Sequence, residues 1–157
     1  MEVQKLYDFD EIEFEDITVS LVRLVKSIPD HEFFYKLNQI NNLCFSRIDD
    51  LIYECPDDKY HFPRYQAYHT ITKTYFTFIC NKSSDQIFRK SKKNVFGYEE
   101  NVKFLLNNQR EVEYILHSSE QFPDFFVISL PENLVFPLQD YNLNSNEELY
   151  QIIQYYE

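Results

Sequence analysis

Apolar and polar residues alternate through the segment 60–81, YHFPRYQAYHTITKTYFTFICN. A period of two predicts extended strands, and the β-branched and aromatic content of the segment favours the same structure. We therefore predict a β-hairpin with a turn at 72–74, around which the rest of the chain is organised. One face of the second strand carries Phe76, Phe78 and Cys80, and the other carries Tyr75, Thr77 and Ile79.

Other stretches also have strand patterns. The segment 17–28 carries aliphatic residues on both of its faces, which is typical of an interior strand that is covered on both sides. The remaining predicted strands are 43–54, which is interrupted at Asp49 and Asp50, then 111–116 and 124–130. A short run at 99–106 fits a helix or a strand.

Two segments have helical spacing. Within 29–42, Phe33, Phe34, Leu37 and Ile40 form one apolar stripe. Ser27 and Asp30 precede that stripe with the S-x-x-D spacing of a capping box. At the end of the chain, Ser145 and Glu148 have the S-x-x-E spacing of the same motif. An apolar stripe follows there, made of Leu149, Ile152, Ile153 and Tyr156.

These elements predict an α+β fold: a largely antiparallel sheet of about five to seven strands, covered on one face by two helices, one of them C-terminal. Consecutive strands without intervening helices favour antiparallel pairing. The hydrophobic fraction of 44%, with one glycine and six prolines, is typical of a packed core rather than of linkers. We expect residues 1–157 to form one globular domain.

The charge balance limits the partners. A net charge of -11 disfavours nucleic acid and anionic membranes. The three cysteines show no disulfide or zinc spacing. The acidic cluster at 8–16 lacks the glycine and glutamate positions of a calcium-binding EF-hand loop. We therefore predict no metal and no cofactor.

Without an apolar run long enough to span a membrane, or a signal-peptide pattern, we expect a cytoplasmic protein.

One segment reverses the local charge. The loop-like stretch 83–97 carries a basic cluster, and aromatic neighbours of this cluster could stack on bases. The cluster is therefore a candidate for binding an anion, an acidic partner or single-stranded nucleic acid, although a solvated loop explains it more simply. The basic residues are Arg89, Lys90, Lys92 and Lys93, and the aromatic ones are Phe88, Phe96 and Tyr98.

Candidate catalytic residues are sparse. On a strand, Glu111 and Glu113 share a face with Cα atoms ~6.6 Å apart, which is close to the spacing of paired acids in glycoside hydrolysis. Together with His69 they define a hydrolase or transferase alternative. Alternating charge is also what any half-exposed strand shows. His61 and His69 lie ~26 Å apart on an extended strand, so they cannot share a metal.

The segment 105–118, LLNNQREVEYILHS, resembles the IPExxVDY family of small bacterial proteins of uncharacterised function. Val112, Glu113 and Tyr114 stand at the V-D-Y positions, whereas 107–109 replace the I-P-E positions. Upstream, the strand at 18–26, the following helix and the hairpin ending at 81–82 are similar in order to the first half of the family. The resemblance covers the first three quarters of the chain and implies no activity.

The sequence is unusually rich in aromatic residues. Thirteen tyrosines and fifteen phenylalanines exceed what one small core requires, and aromatic patches are typical of interface cores. We therefore expect a non-catalytic protein-binding or adaptor domain, with self-association as a variant. The alternatives are the hydrolase or transferase built on His69, Glu111 and Glu113, and nucleic-acid contact through 89–93.

Overall fold

The computed structural model describes residues 16–56, 58–84 and 102–156. Within these ranges there are six strands and two helices, which confirms the predicted α+β class. The elements are β1 (Ile17–Val22), α1 (Asp30–Gln39), β2 (Ser46–Glu54), β3 (Lys59–His69), β4 (Thr74–Cys80), β5 (Tyr114–Ser118), a 3-10 turn (Phe125–Val127), β6 (Gln139–Leu143) and α2 (Glu148–Tyr156). The predictions for the acidic cluster at 8–16, apart from Asp16, and for the basic stretch at 89–93 lie outside the described residues.

All six strands form one antiparallel sheet in the order β2-β3-β4-β5-β1-β6. β1 lies between β5 and β6, so the predicted interior position of this strand is confirmed. Its partners come from far along the chain, since Ser20 pairs with Leu116 and Thr18 pairs with Asn142. β2 and β6 form the edges of the described sheet.

The predicted hairpin is formed by β3 and β4, with Tyr65 paired to Phe78 and His69 paired to Thr74. Its turn occupies 70–73, slightly earlier than predicted. Lys73 takes a positive φ of 58° in this turn, a region that most residues other than glycine avoid. The single glycine of the chain, Gly97, is elsewhere, so a lysine occupies the left-handed position here.

The two helices cover opposite faces of the sheet, so the expectation that both cover one face is wrong. On one face, Phe33, Phe34 and Leu37 of α1 pack in a cluster with Phe78 and Tyr114. On the other, α2 packs in a second cluster whose members include Leu149, Ile153, Leu21, Ile79 and Ile115. Successive side chains of an interior strand point to opposite faces, and here apolar side chains lie on both faces. Each face therefore needs its own helix to cover it.

The predicted capping box at the start of α1 is not formed. Pro29 occupies the N-cap position, and no side-chain hydrogen bond caps the helix. Asp30 instead points toward the sheet, where it accepts a 2.6 Å hydrogen bond from the hydroxyl of Tyr114. Its other oxygen lies 3.7 Å from the thiol of Cys80. A buried tyrosine hydroxyl needs a partner, and this requirement outweighs the local cap.

The region after β4 departs most from the predictions. The strand predicted at 111–116 begins later, at Tyr114, and the one predicted at 124–130 is wrong. Phe125–Val127 is a 3-10 turn, in which the Asp124 side chain accepts from the backbone N–H of Phe126. β6 was not predicted, because its QDYNL sequence lacks aliphatic alternation. Of the short helix considered at 99–106, the described residues 102–106 are non-helical.

We expect Phe78→Ala to lower the free energy of unfolding by about 3–5 kcal/mol, because it leaves a cavity in the α1-facing core. The Phe78 ring contacts those of Phe33, Phe34, Phe45 and Tyr114, with centroids 5.0–6.1 Å apart. Urea unfolding followed by circular dichroism measures the change. Tyr35→Ala is the matched control, since its side chain on α1 is 65% exposed. Equal effects of both substitutions would contradict this description of the core.

Candidate functional site

The three candidate catalytic residues do not come together. His69 pairs with Thr74 at the first residue of β4, whereas the carbonyl of Glu113 accepts from the N–H of Asn81, just beyond its last residue. Seven residues of extended chain separate these points by ~23 Å. The predicted constellation of His69 with Glu111 and Glu113 is therefore not assembled, because β4 runs between its members.

The two glutamates have different environments. Both precede β5, so they do not share a strand face as predicted. Glu111 lies 3.1 Å from the Arg23 guanidinium, and a backbone hydrogen bond followed by this ion pair holds the pKa of Glu111 below its usual range. Glu113 is partly buried, and burial followed by the charge of Asp30 raises its pKa. Glu111 thus has a structural role in holding Arg23.

Cys80 lies in an environment that does not activate its thiol. Cys80 is buried, and burial followed by the nearby Asp30 carboxylate raises the pKa of its thiol. Since the thiolate is the reactive form, this environment suppresses reactivity. Within the ranges 16–56, 58–84 and 102–156, no group of three or more His, Cys, Asp or Glu side chains could hold a metal ion.

A polar cavity of about 70 Å³ lies between α2 and the sheet. Gln66, Thr77 and His117 form a row across β3, β4 and β5, and Arg64 and Tyr156 also line the cavity. The amide of Gln66 donates to the hydroxyl of Thr77 at 3.1 Å. Burial lowers the pKa of His117 to about 4. The volume is about that of two water molecules, so this cavity is too small for most substrates.

The end of the β3–β4 hairpin exposes large apolar side chains, which we call the hairpin-tip surface: Tyr68, Ile71 and Tyr75. The rings of Tyr68 and Tyr75 are a cross-strand pair with centroids 4.8 Å apart. The two tyrosines are 44% and 48% exposed, and Ile71 is 84% exposed. Phe122, which is 83% exposed, lies three residues after Ser119, whose backbone and hydroxyl both bond to the backbone of Tyr75. Several exposed apolar residues are thus gathered at one end of the sheet.

A second exposed region, the edge groove, lies between β2 and α2. It has a volume of about 300 Å³ and is lined by Ile52, Tyr53, Glu148, Gln151, Ile152, Tyr155 and Tyr156. The hydroxyl of Tyr156 accepts from the N–H of Ile52 at 3.0 Å and donates to its carbonyl at 3.3 Å. The last residue of α2 therefore covers both polar backbone groups of one residue on the edge strand.

Charged residues surround the edge groove. The Glu148 carboxylate lies 3.5 Å from the Lys103 ammonium, which in turn sits 4.6 Å from the centre of the Tyr53 ring. A hydrogen bond to Glu148, followed by burial, raises the pKa of Tyr53 to about 12. The Arg64 guanidinium, which lines the polar cavity, lies over the Tyr156 ring at 5.1 Å. Tyr156 thus forms a wall shared by the groove and the polar cavity.

The chain matches no protein-family model, and comparison with curated proteins and with solved structures found no match. The resemblance to the IPExxVDY family therefore stays a prediction. No helix within the described part of the chain is long and apolar enough to cross a membrane.

Sequence reasoning did not single out His117 or Tyr156 as a site residue. His117 belongs to the alternating run YILHS, in which a single histidine on one face gives no signal until the opposing strands are known. Tyr156 was assigned to the apolar stripe of α2, and its ring does contact that core. The role of its hydroxyl at Ile52 depends on a contact that spans 104 residues.

We expect His117→Gln to reduce the loss of stability on acidification. Because the pKa of His117 is about 4 in the folded protein and ordinarily 6.5, the unfolded chain binds the proton first. Stability is therefore unaffected above pH 6.5 and falls between pH 6.5 and 4, by up to about 3 kcal/mol.

Urea midpoints measured at pH 7 and pH 4.5 test this expectation. His31→Gln is the matched control, because His31 is exposed at the start of α1. The wild type and the control should lose more stability than His117→Gln. An identical pH dependence in all three proteins would show that burial of His117 does not perturb its protonation.

Proposed function

We propose that this chain is a cytoplasmic, non-catalytic protein-binding domain whose contact surface is the hairpin-tip surface. The observation that supports the proposal is the exposed cross-strand pair of Tyr68 and Tyr75, in the hairpin whose turn carries the exposed Ile71. Single exposed apolar residues are ordinary, but contiguous groups mark interaction sites. Aromatic residues are also enriched where binding energy concentrates in an interface.

The hairpin-tip surface is well placed for recognition because it projects from a rigid scaffold. The opposite face of the same strands carries Ala67 and Phe76, which are buried in the α1-facing core. The tyrosines therefore extend from strands whose other side is packed. A tyrosine has only two side-chain torsions to order on binding, so its conformational-entropy cost is low for the area it contributes.

The alternatives have less support. A hydrolase or transferase built on His69, Glu111 and Glu113 lacks its constellation, since β4 separates these residues. Nucleic-acid contact through Arg89, Lys90, Lys92 and Lys93 rests on residues outside the described ranges, and the net charge of -11 opposes it. Membership of the IPExxVDY family remains a compatible proposal that assigns no activity.

We expect the triple substitution Tyr68→Ser, Ile71→Ser and Tyr75→Ser to abolish capture of specific partners from a lysate of the source cells. Losing three apolar contacts removes most of the buried area that such a surface can supply. The wild type and the variant serve as baits, and mass spectrometry identifies the bound proteins. Light scattering shows whether the partner is a second copy of the chain.

The matched control is Tyr35→Ser with Ile40→Ser, which removes exposed apolar residues from α1. Thermal unfolding should confirm that both variants fold, because the altered side chains are all more than 40% exposed. Partners that are retained by the triple variant and lost by the control would contradict the proposed surface.

A further inference from the structure

The backbone of the edge strand β2 is partly protected by a side chain at its outer side. β2 pairs with β3 through Leu51–Phe62, Ile52–His61 and Tyr53–Tyr60. In an antiparallel ladder the N–H and C=O of every second residue point away from the partner strand. The bonds of Ile52 to the Tyr156 hydroxyl place Ile52 in this outward-pointing set. Because every second residue points outward, the backbone N–H and C=O of Glu54 also point away from β3.

Outward-pointing backbone groups on an edge strand are a template for another strand. In its middle, β2 has a register irregularity between Ile48 and Leu51, and the carbonyl of Asp49 accepts from Arg64. Such an irregularity blocks strand addition there. From 51 to 54 the ladder is regular. In this regular part, the hydroxyl of Tyr156 binds the outward N–H and C=O of Ile52. An added strand could replace this hydroxyl with its own backbone N–H and C=O.

We propose that residues 51–54 of β2 bind an extended segment of another protein as an added antiparallel strand. The backbone groups of that segment replace the Tyr156 hydroxyl at Ile52. The residue opposite Tyr53 inserts its side chain into the edge groove, against Ile152 and Tyr155. This surface is distinct from the hairpin-tip surface, since eight residues of β3, ~26 Å, separate His61 beside Ile52 from His69 at the tip.

The surroundings of β2 specify the chemistry of the segment. The Glu54 carboxylate lies 3.3 Å from the Lys59 ammonium of β3. The residue opposite Glu54 on the added strand should also be Lys or Arg, because the carboxylate can bind a second cation from its outer side and opposite charges across neighbouring strands stabilise the pair. The residue opposite Tyr53 should be apolar or aromatic to fill the groove, and the one opposite Ile52 should be β-branched. Read along an antiparallel strand, the motif is basic, apolar, β-branched.

A second copy of this chain fits the edge less well. A two-fold pairing of β2 with itself, centred on Ile52, would bring Glu54 toward Asp50 of the other copy. Like charges facing each other across strands are destabilising. The overall charge of -11 adds to this repulsion between copies. The occupant is therefore a segment of a different, locally basic protein.

Selection of a displayed library of linear nine-residue peptides on the wild-type domain tests the proposal. We expect enrichment of the basic, apolar, β-branched motif. A synthetic peptide carrying the enriched sequence is then titrated against variants by NMR. Tyr156→Phe should bind about fivefold more tightly, because the peptide no longer displaces a hydroxyl. Tyr35→Phe is the matched control, because it removes a hydroxyl from an exposed ring on α1, which covers the opposite face of the sheet, and it should leave the affinity unchanged.

Two further variants test the edge itself. Ile52→Pro removes an N–H that does not belong to the ladder with β3, and should weaken peptide binding at least tenfold. If that variant fails to fold, Glu54→Lys reverses one surface charge and should weaken binding about tenfold. The triple hairpin-tip variant should bind the peptide normally, so the two surfaces are tested separately.

Three results would overturn the proposal. One is a library with no enriched motif. Another is an enriched peptide whose binding is insensitive to both Ile52→Pro and Glu54→Lys. The third is a wild-type dimer in light scattering that Ile52→Pro converts to a monomer, which would assign the edge to a second copy of the chain.

Discussion

The architecture depends on the need to cover a sheet that is apolar on both faces. Interior strands such as β1, β4 and β5 direct large side chains to both sides, so neither face can remain in contact with water. In the described part of the chain, one helix covers each face. α1 is held by aromatic packing and by the hydrogen bond between Asp30 and Tyr114, whereas α2 is held by aliphatic packing and by the bonds of Tyr156 to Ile52. Each helix therefore combines an apolar stripe with one polar contact that fixes its position on the sheet.

Strong local periodicity made part of this fold predictable. The hairpin, β1 and both helices have patterns that a single segment carries by itself. Features that require two distant segments were not predictable. Asp30 has the sequence spacing of a helix-capping residue. Its side chain instead faces the sheet, because the hydroxyl of Tyr114, 84 residues away, donates a hydrogen bond to it. β6 is too polar to be recognised without β1 beside it. The same distinction applies to the surfaces: the aromatic surplus is evident in the composition, but the residues that remain exposed depend on which faces the helices cover.

Both proposed contact surfaces lie where this cover ends. α2 lies beside the edge strand β2, and residues from its first, Glu148, to its last, Tyr156, line the edge groove. At the hairpin tip, Tyr68 and Tyr75 remain exposed on the strands whose opposite face carries Ala67 and Phe76 in the α1-facing core. The described helices, of ten and nine residues, leave the end of the eleven-residue strand β3 exposed at Tyr68. The uncovered ends are then available for partners.

The sequence separation of the strand pairs has a consequence for synthesis on the ribosome. β2, β3 and β4 are consecutive hairpins, so they can pair as soon as they emerge. β1 is made before them, but it must wait for β5 and β6, and its side-chain bond from Thr18 to Asn142 spans 124 residues. Non-local pairing of this kind slows folding and prolongs the exposure of unpaired strands. During translation, β1, the first strand of the described residues, therefore emerges long before both of its neighbours, and its apolar side chains stay without their native cover until residues 114–143 have been made.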